Sequence, residues 1–313
     1  MNRRVLVTGG NGFIGSKVLK KLLENGDTPI IIKRNSSDMW RIETILNQII
    51  LYNIDKLPLD KVFETEKIDA VINLATYYKK NNTFQDIEKL VETNVKFPSQ
   101  ILQLCSDHEV PIFVTAGSYF QYATNYVSSA ITNSSIPRDL YAATKSALTK
   151  IMEYYSGRFN IRTVELTLFT PYGEMDHEEK LVPYLIKQAL QKSTVYLSSG
   201  FQKLNMVYVE DVAAAFVKSL DLVEKKTFTH HRIDVANTKS YSIRDIVTVI
   251  EDIIQTNLIV KWNSVNINET DQDDEIMINN SETEKIMNWK PKFDLYEGLR
   301  KTIDYYKGEI VGN

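Results

Sequence analysis

The chain has 313 residues, of which 43% are apolar and 25% charged, with a formal net charge of −3. That length builds one large core, or a core with a smaller lobe, and the balanced charge offers no field for nucleic acid or an anionic membrane surface. A single cysteine, Cys105, excludes an internal disulfide and argues against a cysteine-based metal site, and no apolar stretch approaches the roughly 20 residues of a membrane span.

VLVT (5–8) reads as the first strand, and TGGNGFIG from Thr8 to Gly15 follows as a glycine-rich turn. Ile14, Val18, Leu19, Leu22 and Leu23 then recur at three- and four-residue spacing, the pattern of a helix that buries one face. In such a strand–loop–helix, Gly9 takes the tight turn, Gly12 lets a pyrophosphate approach the main chain, and Gly15 packs helix on strand. The helix start at Phe13 and Ile14 offers free N–H groups and a partial positive charge to phosphates. A bound dinucleotide is the expectation.

PIIIK (29–33) is the second strand. An NAD site usually ends this strand in an acidic residue that holds the ribose 2′-hydroxyl; here Lys33 and Arg34 stand there. Two cations can clasp a 2′-phosphate, or they can be a solvated strand end. The reading adopted is NADPH (NADP) in preference to NAD.

AVINLA (70–75), PIFVTAG (111–117) and RTVELTLF (162–169) are further strands, separated by helical patterns at 87–105 and from Leu140 to Gly157. Short β-branched runs alternating with longer helices predict an α/β fold, a Rossmann-type doubly wound parallel sheet. Beyond Pro171 the predicted elements are a helix at 178–191, a strand running into a helix at 206–223, a strand at 232–237, and an amphipathic helix at 242–255 with Ser242 as N-cap. A loop and a last helix complete 287–307. The expected division is a dinucleotide-binding domain over 1–170, with about 205–240 returning to it, and a smaller mixed substrate-binding lobe from about 171–204 and 241–313.

Tyr141-x-x-x-Lys145 opens the helix that follows the strand carrying Thr115 and Ser118. Residues i and i+4 share a helix face, which brings ammonium and phenol together, and a nearby cation eases proton transfer from a phenol that titrates near 10. Tyr52-x-x-x-Lys56 matches the same pattern but lies in a stretch that reads as a turn.

Glycine loop, NLA at 73–75, a hydroxyl-bearing strand end and Tyr-x-x-x-Lys, in this order, resemble the extended short-chain dehydrogenase/reductase (NAD-dependent epimerase/dehydratase) family over nearly the whole chain. The resemblance implies cofactor contacts at Leu74, Ala75, Asn94, Asp55, Thr115 and Phe169, substrate contacts at Tyr119, Thr170 and Val182, and a homodimer. MVYVEDVA and MNWKPKF resemble the family's C-terminal signatures. Members act mostly on nucleotide-activated sugars.

Departures narrow the chemistry. Ala116 stands where the family carries its catalytic serine or threonine; Ser118 is the preferred substitute and Thr115 the other candidate. TAGS, LSSGFQKLNMVYVEDV and NWKPKFDL are most similar to the CDP-paratose and CDP-abequose synthase type of reductase, which uses NADPH in deoxysugar biosynthesis. Leu204-Asn205 replaces the usual Arg-Asp before the MVYV strand, and the late arginine expected near DEIM is missing, which puts the standard diphosphate contacts in doubt. Gly117-Ser118 supplies neither the Asp-Glu of the family's 4,6-dehydratases nor the cysteine of its 3,5-epimerase/reductases, and Lys33-Arg34 replaces the acidic residue of its NAD-recycling 4-epimerases.

The expected reaction is therefore reduction of a keto group, at C4 by preference, on a nucleotide-linked deoxysugar, CDP-linked by preference, with a role in cell-surface polysaccharide (O-antigen) biosynthesis. Tyr141 donates the proton, Ser118 hydrogen-bonds the same oxygen, and Lys145 binds the nicotinamide ribose and lowers the phenol's pKa. The alternatives are a nucleotide-sugar epimerase and a catalytically weak dinucleotide-binding protein. Ala116 favours the latter, while intact Tyr141 and Lys145 count against it. Tyr119, Tyr122 and Tyr126 either line a sugar pocket or pack. The histidines at 108, 230 and 231 lack metal-ligand spacing, and the acidic run at 268–275 lacks a calcium-loop register, so no metal is expected. No signal-peptide pattern opens the sequence, and a cytoplasmic location is expected.

Overall fold

The computed structural model describes residues 2–79, 82–122, 137–224, 229–265 and 280–311. Tyr126 and the acidic run at 268–275 lie outside these described residues. Two compact units divide the chain. The described residues of the first are those up to 122, 137–168 and those of Ala213–Asp234; of the second, 169–212 and those from Val235 onward.

The first unit is a seven-stranded sheet. Its strands are β1 (Arg4–Thr8), β2 (Thr28–Lys33), β3 (Ile50–Asn53), β4 (Ala70–Asn73), β5 (Ile112–Ser118), β6 (Arg162–Leu168) and an edge strand, His230–Val235. The order across the sheet is edge strand–β6–β5–β4–β1–β2–β3, and β6 through β3 run parallel. Parallel strands need crossovers, and these are supplied by α1 (Phe13–Glu24), α2 (Leu59–Thr65), α3 (Phe84–Val91), α4 (Phe97–Asp107) and α5 (Leu140–Arg158). The sheet is apolar on both faces: Leu6, Val71 and Phe113 are fully buried, and so are Val18, Leu19 and Leu22 of α1. This is the doubly wound parallel sheet expected from the alternating pattern. Strand order reverses between β2 and β4 on either side of β1, and ligands of such sheets bind at the carboxyl ends beside that reversal.

Two local readings are corrected. Tyr52 lies in strand β3, paired through Ile32 of β2, and not in a turn. Its hydroxyl donates to Glu66 Oε1 at 2.6 Å, so the Tyr52/Lys56 match serves the sheet edge. The stretch predicted as one helix at 87–105 is α3 and α4 joined by a π-helical turn, Glu92–Lys96. Such turns bulge a helix at sites that need a side chain aimed off the regular spacing. Asn94 is the side chain buried there.

In the second unit, α6 (Leu181–Leu190), α8 (Ile243–Ile254), α9 (Ser281–Met287) and α10 (Leu295–Val311) accompany three two-stranded sheets. Ser242 caps α8 as expected, its hydroxyl accepting from Asp245 N at 3.0 Å in a capping box. The helix α7 (Val209–Ser219) carries Asp211 of the MVYVEDVA signature near its start, and this carboxylate accepts from Lys292 N and Phe293 N of the MNWKPKF signature at 3.0 Å each. Buried Asp211 thus ties the two C-terminal sequence signatures together. Asn205, the residue that departs from the family's usual Arg-Asp pair, brackets the following turn: its amide donates to the Asn237 carbonyl at 2.9 Å and accepts from Asn237 N at 2.7 Å. Among the described residues, no helix is long and apolar enough to cross a membrane.

Candidate active site

The glycine loop sits at the carboxyl end of β1. Gly9 has φ of +64°, and a Cβ there would come within 2.7 Å of the Ala75 nitrogen. At Gly15 a Cβ would overlap the Gly9 carbonyl, so α1 can lie this close to the turn only with glycine. The helix starts at Gly12 without a side-chain cap or an acidic residue in its first turn, which leaves its amides available to an anion. A cradle that side chains would fill, on an uncapped helix start, fits a dinucleotide pyrophosphate.

The neighbouring strand ends are tied to this loop. Thr8 Oγ1 donates to Asn73 Oδ1 at 2.8 Å and accepts from the Leu74 and Ala75 amides at 3.1 and 3.0 Å. Asn73 in turn donates to Thr115 Oγ1 at 3.0 Å. Thr115 is buried and its hydroxyl also donates back to the Asn73 carbonyl, so it fastens β5 to β4. Of the two hydroxyls considered for the place of the one missing at Ala116, Ser118 is the one at the strand's end.

Lys33 closes β2 and Arg34 is exposed just beyond it. Asp55, at the end of β3, accepts from Asn35 N at 2.6 Å, and Asn53 donates to Asn35 Oδ1 at 2.8 Å. Asp55 therefore pins the loop that carries the two cations.

Tyr141 lies in the first turn of α5, whose N-cap Asp139 accepts from Ala142 N at 2.7 Å. The Lys145 ammonium is 5.7 Å from the Tyr141 ring centroid and donates to the Ala116 carbonyl at 3.0 Å. One helix face thus places phenol and ammonium at the end of β5. Burial pushes the phenol up to about 12, with a hydrogen bond to Thr76 working against it and Tyr78 and Asp139 adding to it. Burial also lowers Lys145 to about 8, with Glu165 pulling it back up. In the protein alone desolvation is the largest influence on both groups, raising the phenol and lowering the ammonium.

Asn94 explains the π turn. Its Oδ1 accepts from Tyr77 N at 2.8 Å and from Thr76 Oγ1 at 3.1 Å, and its amide donates to the Tyr77 carbonyl and Thr144 Oγ1. It holds the Thr76–Tyr77 segment, and through Thr76 the phenol. Tyr78, from the same segment, meets the Tyr141 ring edge-on at 5.0 Å.

A model of the family described as "NAD dependent epimerase/dehydratase family" matches residues 5–233. The chain belongs to that family. It is 25% identical over 309 residues to the CDP-abequose synthase of Salmonella muenchen, covering 97% of this chain and 98% of the relative. To the dTDP-D-glucose 4,6-dehydratase of Homo sapiens it is 26% identical over 321 residues, covering 97% and 90%. Among solved structures, the UDP-glucuronic acid 4-epimerase from Bacillus cereus in complex with UDP-glucuronic acid and NAD has a TM-score of 0.83 at 23% identity, covering 98% of this chain and 99% of the other. That likeness is one of fold.

In this member of the epimerase/dehydratase family, the first unit contains the glycine loop, Lys33, Arg34, Asp55, Leu74, Ala75, Asn94, Thr115, Ser118, Tyr119, Tyr141 and Lys145. Phe169, Thr170 and Val182 belong to the second unit; Val182 and Phe169 are buried core side chains there, and Thr170 N donates to the Asn205 carbonyl at 3.0 Å. Tyr122 donates to Asp234 Oδ1 at 2.7 Å and packs, within the first unit. No group of three or more His, Cys, Asp or Glu that could hold a metal occurs among the described residues. His230 is engaged with Thr163 Oγ1 at 2.8 Å, and burial pushes the Cys105 thiol well up, which leaves it unreactive.

Sequence reasoning passed over Thr8, Asn73, Thr76, Gln121, Thr149 and Glu165. The "NLA" motif contained the signal for Asn73. Glu165 gave one too: a charged residue inside an apolar strand is costly unless partnered.

Proposed function

We propose that this epimerase/dehydratase family member reduces a keto group, at C4 by preference, on a CDP-linked deoxysugar, using NADPH. The observation that carries the reading is the end of β5. There the Lys145 ammonium sits on the Ala116 carbonyl and the adjoining residues are Gly117 and Ser118, which bring no acid or thiol. Glu165, the carboxylate against Gly117, is engaged by Gln121 and Thr149. Elimination of water and epimerisation through a carbanion both need an additional acid or base, whereas a carbonyl reduction needs one proton donor. The relatives named CDP-abequose synthase, aligned over nearly the whole chain, support the substrate class.

When bound, the reduced nicotinamide supplies hydride. The chain's own residues handle the proton. Tyr141, whose phenol is raised to about 12, keeps its proton at neutral pH and gives it to the sugar's carbonyl oxygen as negative charge develops. Ser118 donates a hydrogen bond to the same oxygen, and Lys145 binds the nicotinamide ribose and then favours the phenolate left behind. Lys33 and Arg34 hold the 2′-phosphate that distinguishes NADPH.

Purified protein with NADPH and a panel of CDP-, dTDP-, UDP- and GDP-linked 4-ketosugars should consume the reduced-nicotinamide absorbance fastest with a CDP-linked substrate. Inversion of a sugar hydroxyl without net NADPH loss would instead identify an epimerase, and binding of NADPH with no turnover of any ketosugar would leave a dinucleotide-binding protein. We also propose a homodimer. Phe84, Ile87 and Val91 form an exposed apolar row on α3, 84%, 41% and 44% accessible, and Tyr154 is exposed on α5. A solution mass of one chain at micromolar concentration would exclude it.

A further inference from the structure

Glu165 is a buried charge that the reaction above does not use. It lies in the middle of β6 and is 1% exposed. An isolated carboxylate there would be strongly unfavourable, so its partners show what it is kept for. Oε1 accepts from Gln121 Nε2 at 2.8 Å, Oε2 accepts from Thr149 Oγ1 at 2.5 Å, and Arg232 Nε stands 3.6 Å from Oε1.

The first two partners lead to the reacting groups. A carboxylate can only accept, so it fixes which end of the Gln121 amide faces it. The other end, Oε1, then accepts from Ser118 N at 2.7 Å. Thr149 stands one helical turn after Lys145, its hydroxyl 3.2 Å from the Lys145 carbonyl. Having one proton, it serves the nearer acceptor, Glu165. Gly117 completes the arrangement: a Cβ there would overlap the carboxylate, so the end of β5 lies over Glu165 only with glycine.

We propose that Glu165 is a positioning residue whose buried carboxylate sets the Ser118 strand end through Gln121 and the Lys145 turn through Thr149, which places its negative charge close to that lysine. The proposal rests on the reading of Tyr141, Ser118 and Lys145 as the reacting set. The charged and titratable groups around Glu165 are Lys145 from α5 and, from the edge strand, Arg232 and His230; Arg232 in turn stacks 4.2 Å from the Tyr122 ring, whose hydroxyl donates to Asp234. Of these, Lys145 titrates within the working range, to about 8 from an ordinary 10.5.

The test is Glu165→Gln, which retains the side-chain shape and removes the charge. The sign is set by the raising effect of Glu165 on Lys145: without it the ammonium loses its proton at lower pH. The alkaline limb of kcat/KM for NADPH-dependent ketosugar reduction should move down by about one pH unit, and kcat should fall about tenfold or more with KM for NADPH little changed. An unmoved alkaline limb overturns the proposal.

A second readout needs no substrate. In cofactor-free protein, urea unfolding at pH 7 should show Glu165→Gln costing more beside Lys145 than in the Lys145→Met background, and this difference should shrink at pH 10, where the amine is neutral in the folded state. Equal costs in the two backgrounds overturn the proposal whatever the substrate proves to be. A clear coupling without turnover of any ketosugar would support the carboxylate–ammonium link and sink only the proposed reaction. Should Glu165→Gln fail to fold, Gln121→Met decides: it should lower kcat through Ser118 without moving the alkaline limb, and an unchanged kcat overturns the relay.

Discussion

Tyr141→Phe is expected to lower NADPH-dependent ketosugar turnover by about a thousandfold while leaving NADPH affinity within about twofold. The phenylalanine ring retains the edge contact with Tyr78 and the place in the first turn of α5, and Asp139 still caps that helix. What disappears is a single O–H. Among the described residues of the first unit, Lys145 is committed to the Ala116 carbonyl, and Ser118, an aliphatic alcohol held by Phe120 N at 3.3 Å, can hydrogen-bond the sugar oxygen but is too weak an acid to take over as proton donor. The measurement is single-turnover oxidation of NADPH with the best substrate of the panel, beside a fluorescence titration of the coenzyme. A variant that keeps more than a tenth of the wild-type rate would remove Tyr141 from the chemistry.

Replacing Lys33 and Arg34 together by alanine should weaken NADPH binding by about a hundredfold and leave NADH nearly unaffected. Each charge-assisted hydrogen bond to a phosphate contributes about 1.5–3 kcal/mol, and the exposed position of Arg34 puts the expected total towards the lower end. The wild-type preference should also fade as salt rises, because the contact is solvent-facing. Titrations of both coenzymes at low and moderate ionic strength check this. An unchanged ratio would mean that the two cations are only a solvated strand end. Asp55 should remain as it is in this experiment, since its hold on Asn35 sets the path of the loop that presents them.

The local elements were readable because each follows from short-range chemistry. Val5 to Thr8 followed by TGGNGFIG specified strand, turn and helix start, since glycine adopts the +64° φ at Gly9 without strain and a Cβ at Gly9 or Gly15 would run into neighbouring backbone. The capping box at Ser242 and the buried face of α1 at Val18, Leu19 and Leu22 are likewise consequences of spacing along the chain. Tyr141 and Lys145 were found for the same reason, being four residues apart on one helix.

Strand β3, Ile50–Asn53, escaped notice because its apolar run, Ile49 to Tyr52, is short and gives way at once to Asn53, Ile54 and Asp55, a composition that reads as a turn. The π turn at Asn94 escaped notice because its sequence continues the helical pattern on both sides.

By itself, then, the sequence determined the alternating α/β order, the phosphate-ready glycine turn and the identity of the phenol–ammonium pair, all of them matters of neighbours along the backbone. Only the tertiary structure decided that Thr115 fastens β5 to β4, that Asp211 ties the two C-terminal signatures together, and that burial raises the phenol of Tyr141. It alone brought Glu165 beneath Gly117, close to Gln121 and Thr149. Partners and desolvation are set by residues 16 to 82 positions apart in these cases, and no pattern of spacing encodes which of them a fold will bring into contact.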